Sequence, residues 1–487
     1  MKLQLAEKLN TGVIPVFILK EGESIVKHPF FKLLKTKEKN FLKAFFKRSP
    51  LRKDHSHLVF LPGGREAALI GTTNQKDFNH RKALLTARRV VAYARREKIK
   101  NLAVNLKDFE TPGIPIEELA EVTATQFELA NFEFIHYKSP PPEGWSFVDS
   151  ILFLADNPAL TEALKRGKII GEEINKARVL SNTPGCDMTP ENLATEARKS
   201  AKECGFKVTV FDEKKMRTLK MGGILGVGKG SDEPPRFLIL EYFKGKRGEK
   251  PVVLIGKGVT FDTGGLNLKP EQAIYEMHMD MSGGAAVIHA IAALARLKVK
   301  KNVIGLVPAV ENMPSGKSYH PGDLLRTMSG KTIEVLNTDA EGRIILADGL
   351  TYAQKYKPRL VIDVATLTGS AMSALGQRAS AIFTTDMETE RKLRAVGEKT
   401  GDFVWPLPLW EEYEPEIKGT FGDIANLGKT RYGGAITGAV FLWQFIKGQS
   451  WVHIDIAPRM TATEDEFLAK GSAGPAIALL VNFLRDS

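Results

Sequence analysis

Cysteine is almost missing: Cys186 and Cys204 are the only two among 487 residues. Two thiols cannot form a disulfide framework or a cysteine-rich zinc site, so a reducing compartment is expected. Long apolar runs are missing too. No stretch reaches the roughly 18 apolar residues of a membrane helix, so no membrane association is expected. Glu7, Lys8 and Asn10 interrupt the apolar residues of Met1–Phe17, which does not read as a signal peptide. A cytoplasmic, soluble protein is expected. There is no fixed-period repeat, low-complexity tract or Gly-x-Ser-x-Gly nucleophile elbow, and neither cysteine sits in a nucleophile context. Gly223–Gly230 has glycine where a phosphate loop needs Ser or Thr on Mg²⁺, which rules that motif out.

The composition, 43% hydrophobic and 26% charged, is that of a globular protein, and the length calls for two or three domains. The net charge of +12 is uneven. Residues 1–110 hold 24 Lys/Arg against 10 Asp/Glu, and the remainder 45 against 47. A basic end can mark affinity for nucleic acid or an acidic partner, although no helix-turn-helix or RNA-binding motif accompanies it. The alternative is a solvated face. Lys32–Lys53 alternates with Phe41, Phe45 and Phe46, which predicts an amphipathic helix over a buried Phe stripe.

Short apolar runs (Val13–Leu19, Leu58–Phe60, Ala67–Ile70, Asn101–Leu106, Ile151–Leu154) alternate with basic helical stretches over residues 1–155, which predicts a small α/β domain. Pro140, Pro141 and Pro142 mark a stiff exposed segment. Residues 156–182 carry helical spacing and are expected to lead into a second domain, 183–487. There Lys207–Phe211, Arg236–Tyr242, Pro251–Ile255, Asn302–Pro308, Arg359–Val364 and His453–Ile456 are β-rich runs. Helical stretches such as Gly284–Leu297 and Arg343–Lys355 intervene. The fold class is α/β, with a mainly parallel sheet between helices and ligands expected beyond the strands' carboxyl ends.

The chemistry collects there. Lys257, Asp262 and Lys269 follow the run Pro251–Ile255, and Asp280 comes shortly after. Asp339 and Glu341 follow a further strand expected at Thr332–Leu336. These acids and lysines are expected to converge on one edge of one sheet. Each has a simpler role available: Asp262 could accept N–H groups in a Gly-rich turn, and Asp339 could cap a helix. Together, four acids repel unless cations neutralise them, and divalent metals do this while activating water and polarising a carbonyl. A lysine can ligate a metal only as the neutral amine. His278 is expected on the same face as Asp280, as a neighbour more than a ligand. An oxygen-rich site suits Zn²⁺, Mn²⁺, Co²⁺ or Mg²⁺, and a two-metal phosphoesterase fits the residues alone.

Gly256–Gly265 (GKGVTFDTGG) and Asn337–Arg343 (NTDAEGR) resemble the signatures of the leucine aminopeptidase family of dinuclear cytosolic exopeptidases. Val310–Gly316, Pro321–Asp323, Asp363–Gly369 and Gly433–Thr437 extend the resemblance over about residues 175–487. It implies an aminopeptidase holding two divalent ions, Mn²⁺ or Zn²⁺, with Asp262 and Glu341 bridging both. Lys257 and Asp280 would complete one ion, and Asp339 the other. Lys269 would stabilise the oxyanion, and Arg343 would hold a bicarbonate that accepts the proton of the attacking water. Thr366, Leu367 and Gly369 would line the substrate cleft with backbone groups, and Met277 the first side-chain pocket. Peptides would be the substrates, the N-terminal domain would be macro-like, the catalytic sheet mixed, and the assembly a homo-hexamer. Some bacterial relatives also bind DNA. The chain departs from the family at Asn182–Asp187 and at Pro458, which stands where glycine is usual.

Overall fold

The computed structural model describes residues 1–6, 9, 12–155 and 157–486. Glu7, Lys8 and Asn10, and Asp156 at the start of the expected linker helix, lie outside the described residues. Two compact units form: Met1–Asn175 with Thr463–Lys470, and Lys176–Ala462 with Gly471–Ser487. Their boundary falls inside the helix Ala159–Asn182.

The first unit is built on strands β1 (Lys2–Ala6), β2 (Ile14–Lys20), β3 (Ser56–Phe60), β4 (Glu66–Thr72), β5 (Asn101–Asn105) and β6 (Ser150–Leu154). Their spatial order is β1-β6-β5-β2-β4-β3, parallel except for the β3–β4 pair. Strand alternation sends Val16, Ile18, Leu102, Val104, Ile151 and Phe153 to one apolar cluster. Phe17, Leu19, Ala103 and Leu152 go to a second. Both faces are thus covered, as continuous apolar strands require. The helices His80–Arg96 and Ile116–Ala130 pack on the first cluster.

The expected Phe stripe differs in detail. The helix Thr36–Arg48 buries Glu38 and Leu42, while Phe45 and Phe46 are half-buried and Phe41 is exposed. Glu38 is buried because Arg65 Nε donates to its Oε1 at 2.7 Å. That ion pair, invisible to periodicity, turns the helix face away from Phe41.

The second unit carries β7 (Lys207–Phe211), β8 (Arg236–Phe243), β9 (Val252–Gly256), β10 (Gly258–Asp262), β11 (Asn302–Asn312), β12 (Leu324–Arg326), β13 (Thr332–Glu334), β14 (Leu360–Ala365), β15 (Ser380–Phe383), β16 (Val404–Pro406), β17 (Ile424–Ala425) and β18 (Trp451–Asp455). A nine-stranded sheet runs β16-β15-β18-β14-β9-β11-β8-β7, with β10 also on β11. The central strands β18, β14, β9, β10 and β11 are parallel, and β7, β8 and β15 introduce antiparallel pairs. The sheet is mixed and mainly parallel.

Two expectations change here. Residues 258–262 are a strand, not a turn: β11 is long enough to pair β9 through Val303–Leu306 and then β10 through Ala309–Asn312. Pro308, which has no N–H, falls in the gap between those pairings. The strand expected at Thr332–Leu336 is only Thr332–Glu334 and belongs to a separate sheet, β12-β13-β17. Leu336, at 43% exposed, has left the core, so Asp339 and Glu341 approach from outside the main sheet.

The helix Glu341–Ala353 is held from behind by Asp348, a fully buried carboxylate. Its oxygens accept from Ile224 N at 3.0 Å and Met328 N at 2.8 Å. Burial pushes its pKa up to about 7, against the pull of those N–H groups. Asp348→Ala would strand both donors. A loss on the order of 3 kcal/mol is expected, read as a lowered thermal unfolding midpoint.

Candidate functional site

The carboxyl ends of β9, β10, β11 and β14 meet at one crevice, the place where open α/β sheets bind ligands. Lys257 is the single residue between β9 and β10. Its N–H donates to Val364 O at 3.0 Å, and its carbonyl accepts from Gly284 N at 2.7 Å. That splice aims the side chain across the helix start at Glu341. A Cβ on Gly342 would lie 2.5 Å from Lys257 Cε, so glycine is needed for the lysine to pass.

Asp262 closes β10. Its Oδ1 accepts from Gly264 N at 2.9 Å and Asn312 Nδ2 at 2.8 Å. Asp280 caps the 3-10 turn Met277–Met279, and Glu341 is the first residue of its helix. Asp339 does not cap that helix; Ala340 occupies the cap position without a side-chain bond.

The structure brings all five metal candidates and Lys269 together. Lys257 Nζ lies 2.8 Å from Asp280 Oδ2, 2.8 Å from Glu341 Oε1 and 3.0 Å from Thr366 O. Lys269 Nζ is 2.8 Å from Asp262 Oδ2 and also contacts Asp339 Oδ1. Among the described residues, Asp262, Asp280 and Glu341 offer ligand oxygens within 4.8 Å of one another. His278 is in the 3-10 turn, not a strand, and is not part of this group.

Charge explains what the cluster can hold. Burial, and then Glu341 and the other acids, push Asp262 and Asp280 above the usual carboxylate range; burial and Asp262 do the same to Asp339. Two lysines among four acids leave the cluster short of positive charge. Burial alone would lower both lysines, but the surrounding carboxylates outweigh it and hold Lys257 and Lys269 as ammonium ions. Glu341 Oε2 is buried and meets no hydrogen-bond donor. A buried acceptor without a partner, within an acid cluster short of positive charge, fits divalent metal. A neutral Lys257 ligand needs that added charge, since the acids alone keep it protonated.

Arg343 is 5% exposed, and its Nη1 donates to Asn426 O at 2.8 Å. Burial lowers its pKa to about 10, partly offset by Glu341 and Asp455, so it stays charged at neutral pH. Its Nε is a buried donor without an acceptor, which suits an anion.

The substrate candidates are placed less uniformly. The Thr366 hydroxyl donates to Asp280 Oδ1 at 2.6 Å, and Leu367 N donates to Asp455 Oδ1 at 3.0 Å, so both groups are engaged within the protein. Gly369 is exposed at the start of the helix Gly369–Leu375, and Met277 is half-buried.

Several supporting residues escaped the sequence reading. Asn312 Nδ2 also donates to Thr338 O at 2.9 Å, and Tyr319 OH to the same carbonyl at 2.7 Å. Thr338 Oγ1 in turn donates to Gly264 O at 2.6 Å, tying the 262–269 loop to the 337–339 turn. Asp455 holds the 366–368 loop through Leu367 N and through the Thr368 hydroxyl at 2.7 Å. Asn312 and Asp455 lay inside stretches noticed for other reasons, but nothing in their spacing gave these partners.

The catalytic-domain model of the cytosol aminopeptidase family matches residues 175–481, and its N-terminal-domain model matches residues 55–141. The chain belongs to the cytosol aminopeptidase family. It is a metal-dependent aminopeptidase, a peptide hydrolase. A probable cytosol aminopeptidase of Chlorobaculum parvum is 48% identical over 384 residues, 76% of each chain. That of Nitrosomonas eutropha is 38% identical over 434 residues, 88% of this chain and 86% of the relative. Among solved structures, the bottromycin maturation enzyme BotP in complex with Mn superposes with a TM-score of 0.85 at 30% identity, covering 98% of this chain and 99% of that one. Among the described residues, no helix is long and apolar enough to cross a membrane.

Proposed function

We propose that this aminopeptidase removes the N-terminal residue of peptides at a two-ion centre held by Lys257, Asp262, Asp280, Asp339 and Glu341. The observation that carries this is the buried cluster Asp262, Asp280 and Glu341, with ligand oxygens within 4.8 Å of one another and a Glu341 oxygen left without a donor. Manganese is favoured over zinc by the likeness to the Mn complex of BotP. When bound, divalent ions supply Lewis acidity and a water of lowered pKa.

The chain's own residues divide the remaining work. Asp262, against Lys269, and Glu341, against Lys257, would hold the ions together with Asp280 and Asp339. Lys269, 14% exposed at its side chain, reaches between Asp262 and Asp339 and can donate an N–H hydrogen bond to a developing oxyanion. Arg343 is too basic to accept a proton, and its free Nε suits it to hold a bicarbonate that does so. The loop from Thr366 to Gly369 borders the centre through Thr366, whose carbonyl meets Lys257, and orients the peptide.

Release of p-nitroaniline from Leu-p-nitroanilide tests this reading. Dialysis against a chelator is expected to abolish turnover without unfolding the protein, because the two ammonium groups already lie among the acids. Added Mn²⁺ should restore activity and raise the unfolding temperature, each ion adding about 2.7 kcal/mol of stability at 100 times its Kd. Turnover that survives exhaustive chelation would overturn the two-ion centre.

A further inference from the structure

Asn426 follows β17 and is fully buried, yet it belongs to none of the motifs that mark the site. Its side-chain amide grips the chain just ahead of Asp339. Oδ1 accepts from Leu336 N at 2.7 Å and Asn337 N at 3.3 Å, and Nδ2 donates to Asn337 O at 2.6 Å. Two N–H groups face one end of the amide and a carbonyl faces the other, so the orientation of the amide is determined. Asn337 passes the grip on, since its own Oδ1 accepts from Asp339 N at 2.7 Å. The Asn426 backbone does the rest: its N–H donates to Glu334 O at 3.0 Å, and its carbonyl accepts from Arg343 Nη1 at 2.8 Å.

The turn that Asn426 grips is tied at Thr338 to Asn267, Gly264, Asn312 and Tyr319, but its Leu336–Asn337 limb is held by Asn426. It leaves β13 after only three residues, Leu336 is 43% exposed, and the Asp339 side chain is 33% exposed. We infer that Asn426 is a positioning residue of this site, steadying the Asp339 carboxylate through its amide and the Arg343 guanidinium through its carbonyl. One residue thereby touches both the segment that carries an ion ligand and the anion-holding arginine. The inference rests on the two-ion reading of the site.

Asn426→Ala removes the grip and takes the side-chain partner from three part-buried backbone groups, Leu336 N, Asn337 N and Asn337 O. It is expected to lower kcat by about 10–100-fold with KM near the wild-type value, as for groups that orient metal ligands. Equilibrium dialysis with Mn²⁺ should show one of two binding events weakened by a similar factor and the other unchanged, because Asp339 serves one ion. Asn426→Asp keeps the size but sets an oxygen against Asn337 O, and should show the same selective loss if the alanine variant fails to fold. A folded variant with wild-type kcat and Mn²⁺ binding overturns the inference, as does one that loses only thermal stability. If the wild-type protein itself binds fewer than two Mn²⁺, the two-ion reading falls and takes this inference with it. Two ions bound equally by wild type and variant would remove the role of Asn426 alone.

Discussion

Asp339→Ala is expected to lower kcat/KM for Leu-p-nitroanilide by at least ~10³-fold, the equivalent of the several kcal/mol that metal assistance supplies to such hydrolyses. Asp339 is the cleanest of the acids to remove. Its side chain is 33% exposed and its nearest cation is Lys269, whereas Asp262 also anchors Gly264 and Asn312. Alanine there should leave the fold intact, as circular dichroism would show, while Lys269 settles on Asp262 alone. Equal turnover by the variant and the wild type at saturating Mn²⁺ would exclude Asp339 from the centre.

Lys269→Ala should lower kcat by about 10²–10³-fold and change KM far less, the pattern of a donor whose interaction forms only in the transition state. The carboxylates around Lys269 outweigh its burial and hold it above the usual lysine range, which suits it to donate and not to act as a base. In the structure that ammonium is spent on Asp262 and Asp339. Once other cations satisfy those acids, the same nitrogen is free for substrate. An effect confined to KM would make Lys269 a binding group for the bound peptide instead.

Much of the site was legible because its residues sit at strand ends and within short contiguous motifs. Lys257, Asp262 and Lys269 fall within thirteen positions of one another, and Asp339 to Arg343 within five. Acid repulsion and the need for a cation follow from residue type alone. The strands were legible for a similar reason: β-branched runs such as those of β9 and β14 are buried on both faces and leave a continuous apolar signature. β10 left no such signature. Its residues Gly258–Asp262 are strand only because β11 extends past β9 to pair them.

The sequence by itself determined which acids and lysines come together in the candidate site, and that the main sheet is mainly parallel. Those properties are local, set by side-chain type and by spacing along a few residues. The tertiary structure alone decided the arrangement. It put Asp339 and Glu341 at the centre from outside the main sheet, buried Glu38 in place of Phe41, and brought Asn426 to Asn337 and Arg343 across 89 and 83 residues of chain. Hydrogen bonds between segments that far apart leave no period in the sequence, because their geometry exists only after the strands between them have paired.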